Sequence, residues 1–126
     1  YLFRDGQLHQ LTEDHSLVNE LVKRGEISAE QARQHPQKNI ITRTLGISPD
    51  ADIDTNLYQM QPGDQLLLCS DGLTNMVTDQ QLATVLATSQ TSTQKCETLI
   101  KLANAAGGKD NITALLMALD GEVASK

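Results

Sequence analysis

Two aspartates stand where a carboxylate is hard to explain without chemistry. Asp71 follows the apolar run Leu66-Leu67-Leu68-Cys69, and Asp110 precedes a second run from Ile112 to Leu119. Four apolar residues in a row read as a short strand buried on both faces. A carboxylate at the mouth of such a strand is costly unless a cation or several donors hold it. If the two runs lie side by side and antiparallel, the end of one sits beside the start of the other. Both carboxylates then fall on one sheet edge, where they repel, and one takes up a proton unless a cation sits between them. Hard oxygen ligands suit Mg²⁺ or Mn²⁺, whereas zinc would want His or Cys. Asp71 and Asp110 are therefore candidate metal ligands, a pair rather than a complete site.

The other candidates are weaker. Asp50, Asp52 and Asp54 alternate in a way that suggests calcium, but an EF-hand loop needs Gly at its sixth position and Glu at its twelfth. Counted from Asp50, those positions hold Thr55 and Gln61, so a solvated loop is expected. His9, His15 and His35 show no ligand spacing. Cys69 and Cys96 read as small core residues and not as a disulfide.

The elements that must position the two aspartates follow from the pattern on either side. Tyr1–Phe3 and Leu8–Leu11 read as a β-hairpin turned by Asp5-Gly6. Thr12 to Ser16 supplies helix-capping residues, Leu17, Val18, Leu21 and Val22 repeat at helical spacing, and Gly25 stops the helix. A second short helix begins at Ser28-Ala29-Glu30-Gln31, a capping box. Residues 39–45 (NIITRTL) are β-branched and expected to be extended. Residues 54–60 read as a strand that Pro62-Gly63-Asp64 turns into the central run. Gly72 to Met76 has room for one helical turn. Thr78 and Gln81 cap the next helix, with Val77 and Leu82 as its hydrophobic staple. A longer helix carries the stripe Cys96, Leu99, Ile100 and Ala103 and ends at Gly107-Gly108. Helices grouped against one side of an antiparallel sheet make the α+β class.

Composition narrows the partners. The 126 residues suffice for one domain with a modest core built without Trp and with a single Phe. A net charge of −6 disfavours nucleic acid and anionic membranes. No apolar run approaches the ~20 residues needed to cross a bilayer, and no signal peptide is visible, so the expected location is cytoplasmic. The chain opens at Tyr1, without Met and already inside a hairpin. A piece of a longer protein is expected.

LLLCSDGLTNMV, followed about forty residues later by GGKDNIT, resembles the type 2C metal-dependent protein serine/threonine phosphatases in their bacterial form. LTEDHSLVNELVKRGEIS, NIITRTLG and QPGDQLLLCSDGLT extend the resemblance over nearly the whole chain in the family's order. The resemblance implies part of an α-β-β-α sandwich: two stacked antiparallel sheets, helices outside, and two Mg²⁺ or Mn²⁺ ions at one end. It implies hydrolysis of phosphoserine and phosphothreonine by a metal-activated water, with phosphorylated proteins as substrates and serine/threonine kinases and their targets as partners.

By motif, Asp71 and Asp110 match carboxylates that bind one of these ions. Asn111 would sit beside the site, touching ligands rather than the ion. The helical excursion over residues 16–39 would be the flap near the active site, and 121–126 a tail. The Glu, the bridging Asp-Gly and the phosphate-gripping Arg of the family's amino-terminal half have no counterpart here. The chain thus reads as the carboxy-terminal portion of one phosphatase domain over 1–126. By itself it is expected to be inactive, and to self-associate or need the missing amino-terminal half. The alternative is a non-catalytic regulatory or interaction module, which substitution of Asp71 or Asp110 would have favoured; neither is substituted.

Overall fold

A computed structural model of the chain describes residues 1–120; the tail expected over 121–126 lies outside the described residues. The chain divides into two compact units, one made of residues 1–12 with the part from Gln59 onward, the other of Glu13–Tyr58.

The first unit holds a four-stranded antiparallel sheet in the order β2-β1-β3-β4, with β1 Leu2–Arg4, β2 Gln7–His9, β3 Gln65–Cys69 and β4 Ala114–Ala118. β1 and β2 form the expected hairpin. Asp5 and Gly6 both have positive φ, 50° and 76°, as a two-residue turn matched to strand twist requires. β3 and β4 run in register from Gln65↔Ala118 to Cys69↔Ala114. Among the described residues the unit also holds three helices, α3 Asp71–Thr74, α4 Asp79–Leu86 and α5 Ser92–Ala105. Thr78 and Gln81 close the predicted capping box of α4, and Val77 and Leu82 are both buried. At the end of α5, Gly107 and Gly108 donate to the carbonyls of Asn104 and Ala103, a Schellman ending.

These helices cover one face of the sheet. Phe3 and Leu67 join Leu73, Val77, Leu82, Leu86, Leu99 and Ala103 in one core, with Leu8, Cys69 and Leu116 packed against it. Within this unit, no described element packs on the opposite face, which corrects the expectation that the central run is buried on both faces. Leu67 is 1 % exposed but its neighbour Leu68 is 53 % exposed, and Leu115, Met117 and Leu119 share that open face. Successive strand residues point to opposite sides, and only one side is packed here.

Two buried charges were not anticipated. Arg4 Nε and Nη2 grip the carboxylate of Asp64 at 2.8 and 2.6 Å, and the Gln61 amide donates to it at 2.7 Å. The guanidinium holds the Asp64 carboxyl down at about 2. Lys95 lies on the buried line of α5 with Leu99 and Ala103, four residues apart. Its ammonium donates to the Leu86 carbonyl at the end of α4 and to Gln65 Oε1, each at 2.8 Å; desolvation lowers its pKa.

The second unit holds α1 Leu17–Lys23 and α2 Ala29–Gln34. Ser16 caps α1, and Ser28 with Gln31 forms the predicted box on α2. Gly25 (φ 73°) ends α1, as Gly25 and Glu26 donate to the carbonyls of Val22 and Leu21. The strand expected over 54–60 does not form, and the stretch 39–45, expected to be extended, holds no strand. Among the described residues the one β-bridge in these stretches is Ser16–Ile41. A β-branched run has strand propensity, but a strand needs a neighbour along its length; here the neighbour is the short segment before α1, with the Leu17 amide donating to the Ile40 carbonyl at 3.0 Å and the Thr42 amide to the His15 carbonyl at 2.9 Å. Asp54 meets His15 at 2.6 Å and Arg43 at 3.0 Å, so part of the acidic loop is used in ion pairing.

Candidate metal site

The predicted meeting of the two acidic segments occurs at the end of the β3–β4 ladder. Past the last pair, Cys69↔Ala114, the Ser70 amide donates to the Thr113 carbonyl at 3.1 Å. The Ser70 hydroxyl accepts from the Thr113 amide at 3.0 Å and donates to the Asn111 carbonyl at 3.2 Å. Asp71 then opens α3, and Asp110 lies one residue before Asn111. Both aspartates are exposed at this rim. The expectation of a carboxylate buried at the strand mouth is therefore wrong for Asp71. The buried carboxylate is Asp64, at the other end of the same strand, and Arg4 neutralises it.

Gly72 sets how closely the segments approach. An added Cβ would stand 2.0 Å from the Asn111 carbonyl oxygen and 2.9 Å from its carbon. Only a residue without a side chain lets the α3 turn rest on that carbonyl. Asn111 thus takes part through its main chain, which sequence reasoning did not anticipate. The Asp110 Oδ1 atom accepts from the Asn111 amide at 2.7 Å, a local bond that orients one carboxylate oxygen and leaves the other.

The donor set is chemically suited to a hard dication: two exposed carboxylates that no ion pair among the described residues engages. It is also incomplete. No group of three or more His, Cys, Asp or Glu side chains that could hold a metal occurs among the described residues. His9, His15, His35, Cys69 and Cys96 form no ligand cluster with the rim among the described residues, and neither cysteine is in a disulfide. No helix among the described residues is long and apolar enough to cross a membrane.

The family model described as Stage II sporulation protein E (SpoIIE) matches residues 20–120. The serine/threonine phosphatase Stp of Listeria monocytogenes is 49 % identical over 120 residues, which are 95 % of this chain and 48 % of that protein. The structure of the S. agalactiae serine/threonine phosphatase superposes with a TM-score of 0.85 at 48 % identity, over 93 % of this chain and 49 % of that one. The catalytic domain of the phosphatase PstP, solved in complex with two manganese ions, superposes with a TM-score of 0.76 at 33 % identity, over 92 % of this chain and 47 % of that one. The chain spans about half the length of the relatives it matches. With the α+β fold, it belongs to the type 2C, metal-dependent family of bacterial protein serine/threonine phosphatases.

Proposed function

We propose that this chain carries part of the metal site of a protein serine/threonine phosphatase, with Asp71 and Asp110 as ligands of Mg²⁺ or Mn²⁺ and Asn111 beside them. The observation that supports this reading is the meeting of the Ser70–Gly72 turn with the Asp110–Asn111 segment at one sheet edge. A dication held by Asp71 and Asp110 would lower the pKa of a bound water, so that hydroxide is available as the nucleophile near neutral pH, and would compensate charge on the phosphoryl oxygens. The chain's own residues hold and orient. Asp71 and Asp110 provide the negative charge that draws the ion, and the ladder behind them keeps the rim in place. The substrates are phosphoserine and phosphothreonine proteins, with kinases acting on the same targets as partners, in the cytoplasm. The helical pair over 16–39 serves as a flap.

Alone, the chain lacks the remaining ligands and any phosphate-binding arginine, so it is catalytically silent. Its open face, with Leu68, Leu115 and Met117, is covered by a second copy or by the missing amino-terminal half. Apolar patches of this kind mark association surfaces. Two experiments test the reading. Mn²⁺ titration of the chain gives a weak affinity, in the ~10⁻⁴ to 10⁻³ M range of sparsely liganded divalent sites, which Asp110→Asn reduces. Hydrolysis of p-nitrophenyl phosphate with Mn²⁺ stays at the buffer rate. Binding unaffected by Asp110→Asn removes the ligand assignment, and turnover by the chain alone removes the claim that it is inactive.

A further inference from the structure

The geometry points to Ser70 as a positioning residue for the cation: its hydroxyl ties the Asp71 turn to the Asp110 segment and so sets the spacing of the two carboxylates. This rests on the reading of Asp71 and Asp110 as ligands.

Ser70 occupies the N-cap of α3, where a serine hydroxyl ordinarily accepts from an amide of the first turn. It makes no such cap bond. The hydroxyl turns across to the other strand, accepting from the Thr113 amide at 3.0 Å and donating to the Asn111 carbonyl at 3.2 Å. Gly72 packs onto the same carbonyl. The two residues flanking Asp71 therefore both touch the residue that follows Asp110. Past the end of a ladder, strands are free to splay, and two carboxylates at their tips add repulsion that favours splaying. A hydroxyl bridging residues 111 and 113 opposes this before any ion arrives. Less ordering is then left for the binding step.

The test uses the 126-residue chain, with Mn²⁺ alone as the probe and free ion counted by electron paramagnetic resonance. Ser70→Ala is expected to weaken binding roughly five- to thirtyfold, the loss of one or two net hydrogen bonds, while Ser70→Thr, which keeps the hydroxyl, stays within about twofold of wild type. Hydrogen exchange at the Thr113 amide should accelerate in Ser70→Ala and not in Ser70→Thr, with the α5 amides unchanged in both. If Ser70→Ala does not fold, the isosteric pair Ser70→Thr and Ser70→Val carries the comparison, with the same gap expected. Wild-type affinity in Ser70→Ala or Ser70→Val overturns the positioning role and leaves the ligand reading intact. A wild-type chain that binds no Mn²⁺, with the Thr113 amide still released by Ser70→Ala, overturns the ligand reading and the positioning role with it.

Discussion

Gly72→Ala separates a prediction from local propensity from one made by packing, because the two differ in sign. Inside a helix, replacing Gly by Ala stabilises by roughly 0.5–1 kcal/mol. Here the new methyl would stand 2.0 Å from the Asn111 oxygen, against the ~3.3 Å at which carbon and carbonyl oxygen ordinarily meet. The turn and the segment must part by about 1.3 Å to restore that contact. Such a shift carries the Ser70 bonds to Thr113 and Asn111, now 3.0–3.2 Å, past the limit of a real hydrogen bond. Overpacking against rigid backbone costs about 1–3 kcal/mol, and each lost bond about 1 kcal/mol. A net destabilisation of about 4 kcal/mol, or about 15 °C in Tm for a chain of this length, follows. Thermal unfolding followed by circular dichroism reads the first quantity, and exchange of the Thr113 amide reads the second. A variant with wild-type or higher Tm and a protected Thr113 amide would refute the close approach.

Two further outcomes test what surrounds the site. Asp64 has its folded pKa depressed to about 2 by Arg4. The stability it provides is therefore present above its ordinary value near 4 and lost as pH falls from there through about 2. Asp64→Asn should lower stability at neutral pH and flatten the loss between pH 4 and 2; thermal melts across that range check it, and an unchanged acid limb contradicts the pair. On the open face, Leu68 and Leu115 lie directly opposite each other. Leu68→Glu with Leu115→Lys keeps a compatible cross-strand pair while removing apolar area. Sedimentation should show self-association weakened by roughly tenfold per leucine, and the same assembly state in both proteins would count against this face.

What could be read from the residues was what local chemistry decides. Asp5-Gly6 dictates a two-residue hairpin turn, and Ser28/Gln31 and Thr78/Gln81 announce helix starts because each cap is a bond between neighbours in sequence. The meeting of the Asp71 and Asp110 segments was legible because two apolar runs, each flanked by an Asp, pair antiparallel in only one sensible way. What failed was whatever depends on distant partners. Residues 66–69 say that a strand is apolar, not that one of its faces lacks a cover. Residues 39–45 and 54–60 have the composition of strands, but among the described residues the pairing formed there is the single bridge Ser16–Ile41. A carboxylate beside a buried strand does need a cation, and the one that burial forces to have it is Asp64, whereas Asp71 is exposed. Arg4 supplies it, sixty residues away in sequence. Lys95 depends on a distant partner in the same way: the Leu86 carbonyl at the end of α4, which has no partner within its helix, accepts from its ammonium.

The central claim is that Asp71 and Asp110 act together on one hard dication, and paramagnetic broadening by Mn²⁺ in the amide spectrum of the chain tests it most directly. At low Mn²⁺, the signals of Asp71, Gly72, Asp110 and Asn111 should vanish first and together, and Asp110→Asn should abolish the effect at Asp71 as well. Broadening centred on Asp50, Asp52 and Asp54, or loss of the Asp71 signals independent of Asp110, would contradict it.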